Sequence, residues 1–180
     1  PASICILIRV FFWGWFVEWL VFITEVVLIL AYFLTWKSWT GARKGAHIRL
    51  GFSLAIFSWI TMAVIVAILG FMMDPGNWLT DHSLLSGFLN PIYLPQLAFR
   101  SFLAVVMAAL IALLLTLFFT KRGDELRYQA VRAISLVALV AAPLVALAGW
   151  WYWSLVPDSM AENLATAMTT LQFEEWHQTL

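Results

Sequence analysis

An all-α, integral membrane four-helix bundle is the fold class this sequence predicts, and three observations predict it. Hydrophobic residues make up 63% of the 180-residue chain and charged residues 11%. With a mean hydropathy of +0.91, that composition lies outside the range of soluble domains. Four windows, 4–36, 50–73, 97–120 and 130–156, reach the roughly 20 apolar residues that a bilayer-spanning helix needs. The basic residues fall in alternate connections. Spans therefore fill residues 1–156, and an outer amphipathic tail fills 157–180.

Charge sets the expected orientation. Lys37, Arg43, Lys44 and Arg49 follow the first span, and Lys121, Arg122, Arg127 and Arg132 follow the third, together eight of the ten basic residues. The connection between spans two and three carries Asp74 and Asp81, and the tail carries Asp158, Glu162, Glu174 and Glu175. Short loops rich in Lys and Arg stay cytoplasmic, so both termini are expected on the outer, periplasmic side. Zero formal net charge hides this asymmetry between faces and gives no sign of nucleic-acid binding. Cys5 is the single cysteine; it excludes an internal disulfide, and burial as a small apolar filler outweighs metal or redox chemistry. The chain opens at Pro1 without an initiating Met, a basic n-region or a signal-type cleavage site, so any residues preceding it are expected to add spans.

The first span holds the main clue to function. Glu18 and Glu25 sit seven residues apart in a segment, Ile4 to Leu34, that is otherwise almost wholly apolar. A carboxylate at membrane depth is costly when ionised and unpaired, so such residues face a bundle interior or a water path and often carry protons. Seven residues are nearly two helical turns, which puts both side chains on one face about 10 Å apart along the axis. Phe11, Phe12, Trp13, Trp15, Phe16 and Trp19 crowd the outer end. They read as an interfacial belt, or as a wall around a large planar cofactor with Trp15 and Trp19 facing it. Gly14 allows close helix contact. The segment exceeds a bilayer core, so it must tilt or project.

The remaining elements follow in order. Gly41 to Gly45 form a basic turn, and His47, Arg49 and Gly51 open span two. His47 is expected at the inner boundary, solvated or touching phosphate, in preference to metal ligation, because no second ligand lies at helical spacing. No His is expected within a span. The Asp74-Pro75-Gly76 turn ends span two. Of Met72 and Met73, at most one could ligate a haem, since neighbours diverge by about 100°; packing is the simpler role. Residues 77–96 form a long outer loop that folds over the surface and could cover a site, with His82 a solvated member. Arg100, near the outer end of span three, can snorkel, pair with Glu18, or hold an anionic group such as a haem propionate. Pro143 and Gly149 permit a kink in span four, which closes on Trp150, Trp151, Tyr152 and Trp153. Beyond Pro157, Asp158 and Ser159 can cap a helix along which Met160, Leu164, Met168, Leu171 and Trp176 recur. That tail would lie on the membrane or dock on a partner.

These motifs, in this order, resemble subunit I of the cytochrome bd-type quinol oxidases and its bd-like relatives. The matching stretches are Gly14 through Glu18 to Glu25, Gly70-Phe-Met-Met-Asp-Pro75, and Leu89-Asn-Pro91 through Phe99-Arg100-Ser101. The resemblance implies a central four-span portion of such a subunit in the inner (plasma) membrane of a prokaryote. Glu18 would be the carboxylate near the active-site haem pair and Glu25 the next member of a proton path. The family's axial His near the start of the third matched span is replaced by Phe99 and Arg100, and its other haem ligands would lie outside Pro1–Leu180. Haem b or d would then be ligated by other segments, with quinol and other membrane subunits of a respiratory complex as partners. Two further readings stand beside this one: a haem-free subunit that anchors such a complex, and a proton-coupled transporter, although no inverted repeat supports the latter.

Overall fold

A computed structural model describes residues 12–39, 41–121 and 123–169 of the chain. Among them every regular element is helical: α1 (Phe12–Thr35), a 3-10 turn (Gly41–Arg43), α2 (Lys44–Met73), α3 (Trp78–Asp81), α4 (Leu84–Phe88), α5 (Tyr93–Phe119), α6 (Glu125–Trp153) and α7 (Asp158–Thr169). Four of these, α1, α2 with its 3-10 turn, α5 and α6, are long and apolar enough to cross a membrane. The chain is a multi-pass membrane protein. Cys5, Phe11, Arg122, Leu171, Glu174, Glu175 and Trp176 lie outside the described residues, and so do the side chains of Leu164 and Met168.

Helix boundaries differ from the expected ones for definable reasons. α2 begins at Lys44, six residues before the apolar window, because Lys and Arg are good helix formers that extend a helix past the hydrocarbon. His47, expected at the boundary where span two opens, consequently lies in the first turns of α2. α5 begins at Tyr93 although Pro95 follows, because a first-turn proline lacks an N–H that would have no helical partner anyway. Arg100 therefore sits about 10 Å along α5 from its first residue, deeper than the sequence window implied. The stretch 77–96, expected as a long loop, contains two short helices and the start of α5, which leaves little irregular backbone.

The described residues form two compact units, one running to Phe71 and resuming at Gly76–Tyr93, the other comprising Met72–Pro75 and Leu94 onward. In the first unit, α1 is exposed over most of its surface, with one stripe excepted: Gly14, Glu18, Val21, Glu25, Leu28, Tyr32 and Thr35 are buried or half-buried. Their three-and-four spacing is that of a helix face. On α2 the stripe His47, Gly51, Leu54, Ser58 and Thr61 is likewise withdrawn from the surface. Close approach is visible at Gly51, where an added Cβ would meet the Tyr32 ring at 3.1 Å.

The second unit is built differently. α5 and α6 are joined by a turn in which Gly123 adopts φ +89° and Asp124 caps α6 by accepting the Leu126 N–H at 3.1 Å. Arg127 donates to the Thr120 carbonyl at 3.1 Å, which places a cation at the negative end of α5. Phe99 stacks on Tyr152 with ring centroids 6.0 Å apart, and a Cβ on Gly149 would lie 3.2 Å from the Phe99 ring. α6 continues through Pro143.

Candidate functional site

The polar groups of the first unit gather on the seam between α1 and α2. Glu25 and Ser58 meet there: the Ser58 hydroxyl donates to Oε1 at 2.6 Å. Thr61 donates to Oε2 at 3.1 Å. Ser58 and Thr61 are three residues apart, so they share one face of α2 and grip both carboxyl oxygens from the same side. Thr61 is 8% exposed, while Glu25 itself is half-buried. Glu18 lies on the same α1 stripe, half-buried, as the seven-residue spacing predicts. Of the two carboxylates, Glu25 is the one gripped by α2.

A second cluster occupies the Lys- and Arg-rich end of the seam. Thr35 Oγ1 lies 2.7 Å from the Ala31 carbonyl and 3.2 Å from His47 Nδ1. The single hydroxyl proton is best directed to the carbonyl, so His47 donates from Nδ1 and its Nε2 is the bare acceptor. Nε2 is buried with no hydrogen-bond partner among the described residues. Tyr32 stacks on the imidazole at 4.2 Å and Trp36 meets it edge-on at 5.5 Å. A cleft of about 400 Å³ beside it is lined by Tyr32, His47, Ile48, Gly51, Phe52, Leu54 and Ala55.

At the opposite end, Asn90 is 3% exposed and donates to the Ala67 and Gly87 carbonyls, each at 3.0 Å. Its Oδ1 has no conventional partner among the described residues. A Cβ built on Gly70 would fall 2.5 Å from that oxygen, so the glycine's own Cα–H points at it and supplies a weak contact. Gly76, at φ +52°, turns the chain where a Cβ would strike Pro91 at 2.7 Å. Asp81 Oδ1 accepts from the Ser86 hydroxyl at 2.6 Å and the Ser83 N–H at 2.9 Å. Those donors hold its carboxyl below the ordinary value of 3.8. His82 is exposed in the same loop, as expected.

In the second unit, Gln96 donates to the Tyr152 hydroxyl at 3.2 Å, which donates to Met73 Sδ at 3.6 Å. Arg100 is exposed on α5. Trp15 and Trp19, both in the first unit, are 44% and 56% exposed and face outward from α1.

The fit of a haem can be tested on these contacts. Met73 sulfur already receives the Tyr152 hydroxyl, Met72 is exposed, and the His47 ring is covered by Tyr32 and Trp36. No group of three or more His, Cys, Asp or Glu side chains that could hold a metal ion occurs among the described residues. These residues do not fit a haem as an axial ligand set. Sequence reasoning placed Glu18 and Glu25 correctly on one face but passed over Ser58 and Thr61. Their signal was present in the small or polar residues at 47, 51, 58 and 61, one face of a helix. Compared with known proteins, the chain matches no family model, no curated protein and no solved structure.

Proposed function

We propose that this chain is a bd-like membrane subunit of a respiratory electron-transfer complex, in which the α1–α2 seam handles protons while neighbouring segments ligate haem and meet quinol. The observation that carries this reading is the Glu25 carboxyl held on both oxygens by hydroxyls of a second helix. An ionisable group at membrane depth with such partners is a functional residue by default. Hydroxyls serve it in either protonation state, which suits proton exchange better than a fixed cation would. The bd-like part of the reading rests on the short sequence stretches from Gly14 to Glu25, Gly70 to Pro75 and Leu89 to Ser101. In this orientation both termini face the periplasm, the His47 end lies toward the cytoplasm, and Glu18 lies nearer the outer surface than Glu25. Trp15, Trp19 and Arg100, all exposed, would then face partner subunits and their cofactors.

Replacing Glu25 with Gln in the natively purified complex tests the reading. Turnover and proton uptake are expected to fall together; retention of both at wild-type rates would sink it. A second reading, a haem-free anchoring subunit, is favoured by Phe99 and Arg100 at the positions where the resembling family carries its axial His, and by the engagement of Met73 with Tyr152. A reduced-minus-oxidised visible spectrum separates the two. Haem bands stoichiometric with this chain support the redox subunit, and their absence supports the anchor.

A further inference from the structure

Thr61 has one hydroxyl proton and two acceptors, Glu25 Oε2 at 3.1 Å and the Phe57 carbonyl at 3.1 Å. It cannot direct that proton well at both. Two arrangements resolve the conflict with every heavy atom in place. In one, Glu25 is the carboxylic acid: its Oε2–H donates to Thr61 Oγ1, Thr61 donates to the Phe57 carbonyl, and Ser58 donates to Oε1. In the other, Glu25 is ionised, and the Thr61 hydroxyl hydrogen swings to Oε2 while Ser58 keeps Oε1. The Phe57 carbonyl lies inside α2, so the backbone N–H of Thr61, four residues on, remains its partner when the hydroxyl leaves.

We propose that Thr61 is a two-position proton switch for Glu25, donating to its own helix when the carboxyl holds a proton and to the carboxylate when the proton has gone. This rests on the proton-transfer reading above. The exchange balances simply: the acid gives its proton to a water molecule, hydronium leaves, and the negative charge stays on the carboxylate. Two hydroxyl donors then stabilise that charge, each bond strengthened by it. A lysine or backbone amide in place of Thr61 would serve the carboxylate alone, because it can only donate. A hydroxyl serves both states through a single-bond rotation, a motion of picoseconds to nanoseconds, with no helix movement. Thr61 is thus a positioning residue, and Ser58 is the constant donor.

The test uses infrared spectroscopy of the full chain in lipid nanodiscs across a pH series, with the Glu25 acid carbonyl band identified by its loss in Glu25→Gln. The wild-type band is expected at the low frequency of a carboxyl hydrogen-bonded on both oxygens, disappearing reversibly as pH rises. Thr61→Val keeps the shape and removes the hydroxyl, so the band should move to higher frequency. Proton transfer in the intact complex should slow about tenfold, the equivalent of one lost hydrogen bond to a charged group. Thr61→Ser should restore both. An unmoved band in Thr61→Val, a Thr61→Ser variant that behaves like Val, or no Glu25 acid band at any pH overturns the proposal. A band that responds as expected in a complex whose turnover survives Glu25→Gln upholds the switch and refutes the proton-transfer reading alone.

Discussion

The α1–α2 pair and the α5–α6 pair are built from comparably apolar helices, yet they place their polar atoms differently. α1 and α2 bring a carboxyl, three hydroxyls and an imidazole onto one seam, and that seam is the least exposed stripe α1 has. α5 and α6 meet through ring and glycine contacts and keep their own polar link, Gln96 to Tyr152, near one end, where Tyr152 also donates to Met73 at the last residue of α2. In a membrane, helix packing needs only shape and small residues, whereas a polar seam costs desolvation. The difference is one of construction: the first unit carries a withdrawn polar seam, and the second is joined mainly through apolar contacts.

The largest test of this contrast compares two glycines. Gly70→Ala drives a Cβ to 2.5 Å from Asn90 Oδ1, whose amide is fixed by two carbonyls. Overpacking of about 1–3 kcal/mol should exceed the roughly 1 kcal/mol gained in helix propensity. Gly149→Ala meets only the edge of the Phe99 ring at 3.2 Å, a side chain that can yield by tenths of an ångström, so its net effect should stay within about 1 kcal/mol. Denaturant titration in mixed micelles measures both, and equal losses would erase the distinction between a locked polar end and an adaptable apolar contact.

A smaller effect is expected at Thr35. Thr35→Val removes the acceptor of the His47 Nδ1–H and should cost about 1 kcal/mol. It should also free the imidazole to change tautomer, a change visible in its ¹⁵N spectrum, which contains three histidines in all. An unchanged ring nitrogen spectrum would mean that the hydroxyl does not set the tautomer.

The smallest effect concerns Asp81. Because its carboxyl is held below 3.8 in the folded loop, its contribution is present above that value and is lost as pH falls through the folded value. Protection of the Ser83 amide, which donates to Asp81, should fall on acidification relative to the intrinsic exchange rate at each pH, and Asp81→Asn should remove that acid-dependent step. An unchanged protection of that amide on acidification would mean that the Asp81 carboxyl does not hold the loop.

Much of this was legible in the residues themselves. Span count follows from apolar length, and the common face of Glu18 and Glu25 follows from helical geometry. The partners of Glu25 were not legible, because Ser58 and Thr61 lie 33 and 36 residues away and reach it only through the register of two antiparallel helices. The small and polar residues at 47, 51, 58 and 61 mark one face of α2 but not what it meets, since Ser and Thr in a span commonly bond back to their own helix, as Thr24 does to the Leu20 carbonyl. The early start of α5 was obscured by Pro91, two residues before it, and by Pro95, in its first turn, both of which read as loop residues. α3 and α4, of four and five residues, are too short for periodicity to register.

The Asn90 clamp also orders events in time. Its bond to the Ala67 carbonyl closes a stretch of 23 residues, whereas the Gln96–Tyr152 bond closes one of 56. The shorter closure is cheaper by about 0.8 kcal/mol of chain entropy. It also requires no residue beyond Asn90, so the Asn90 end of the first unit can be tied off while the ribosome is still making the second half of the chain.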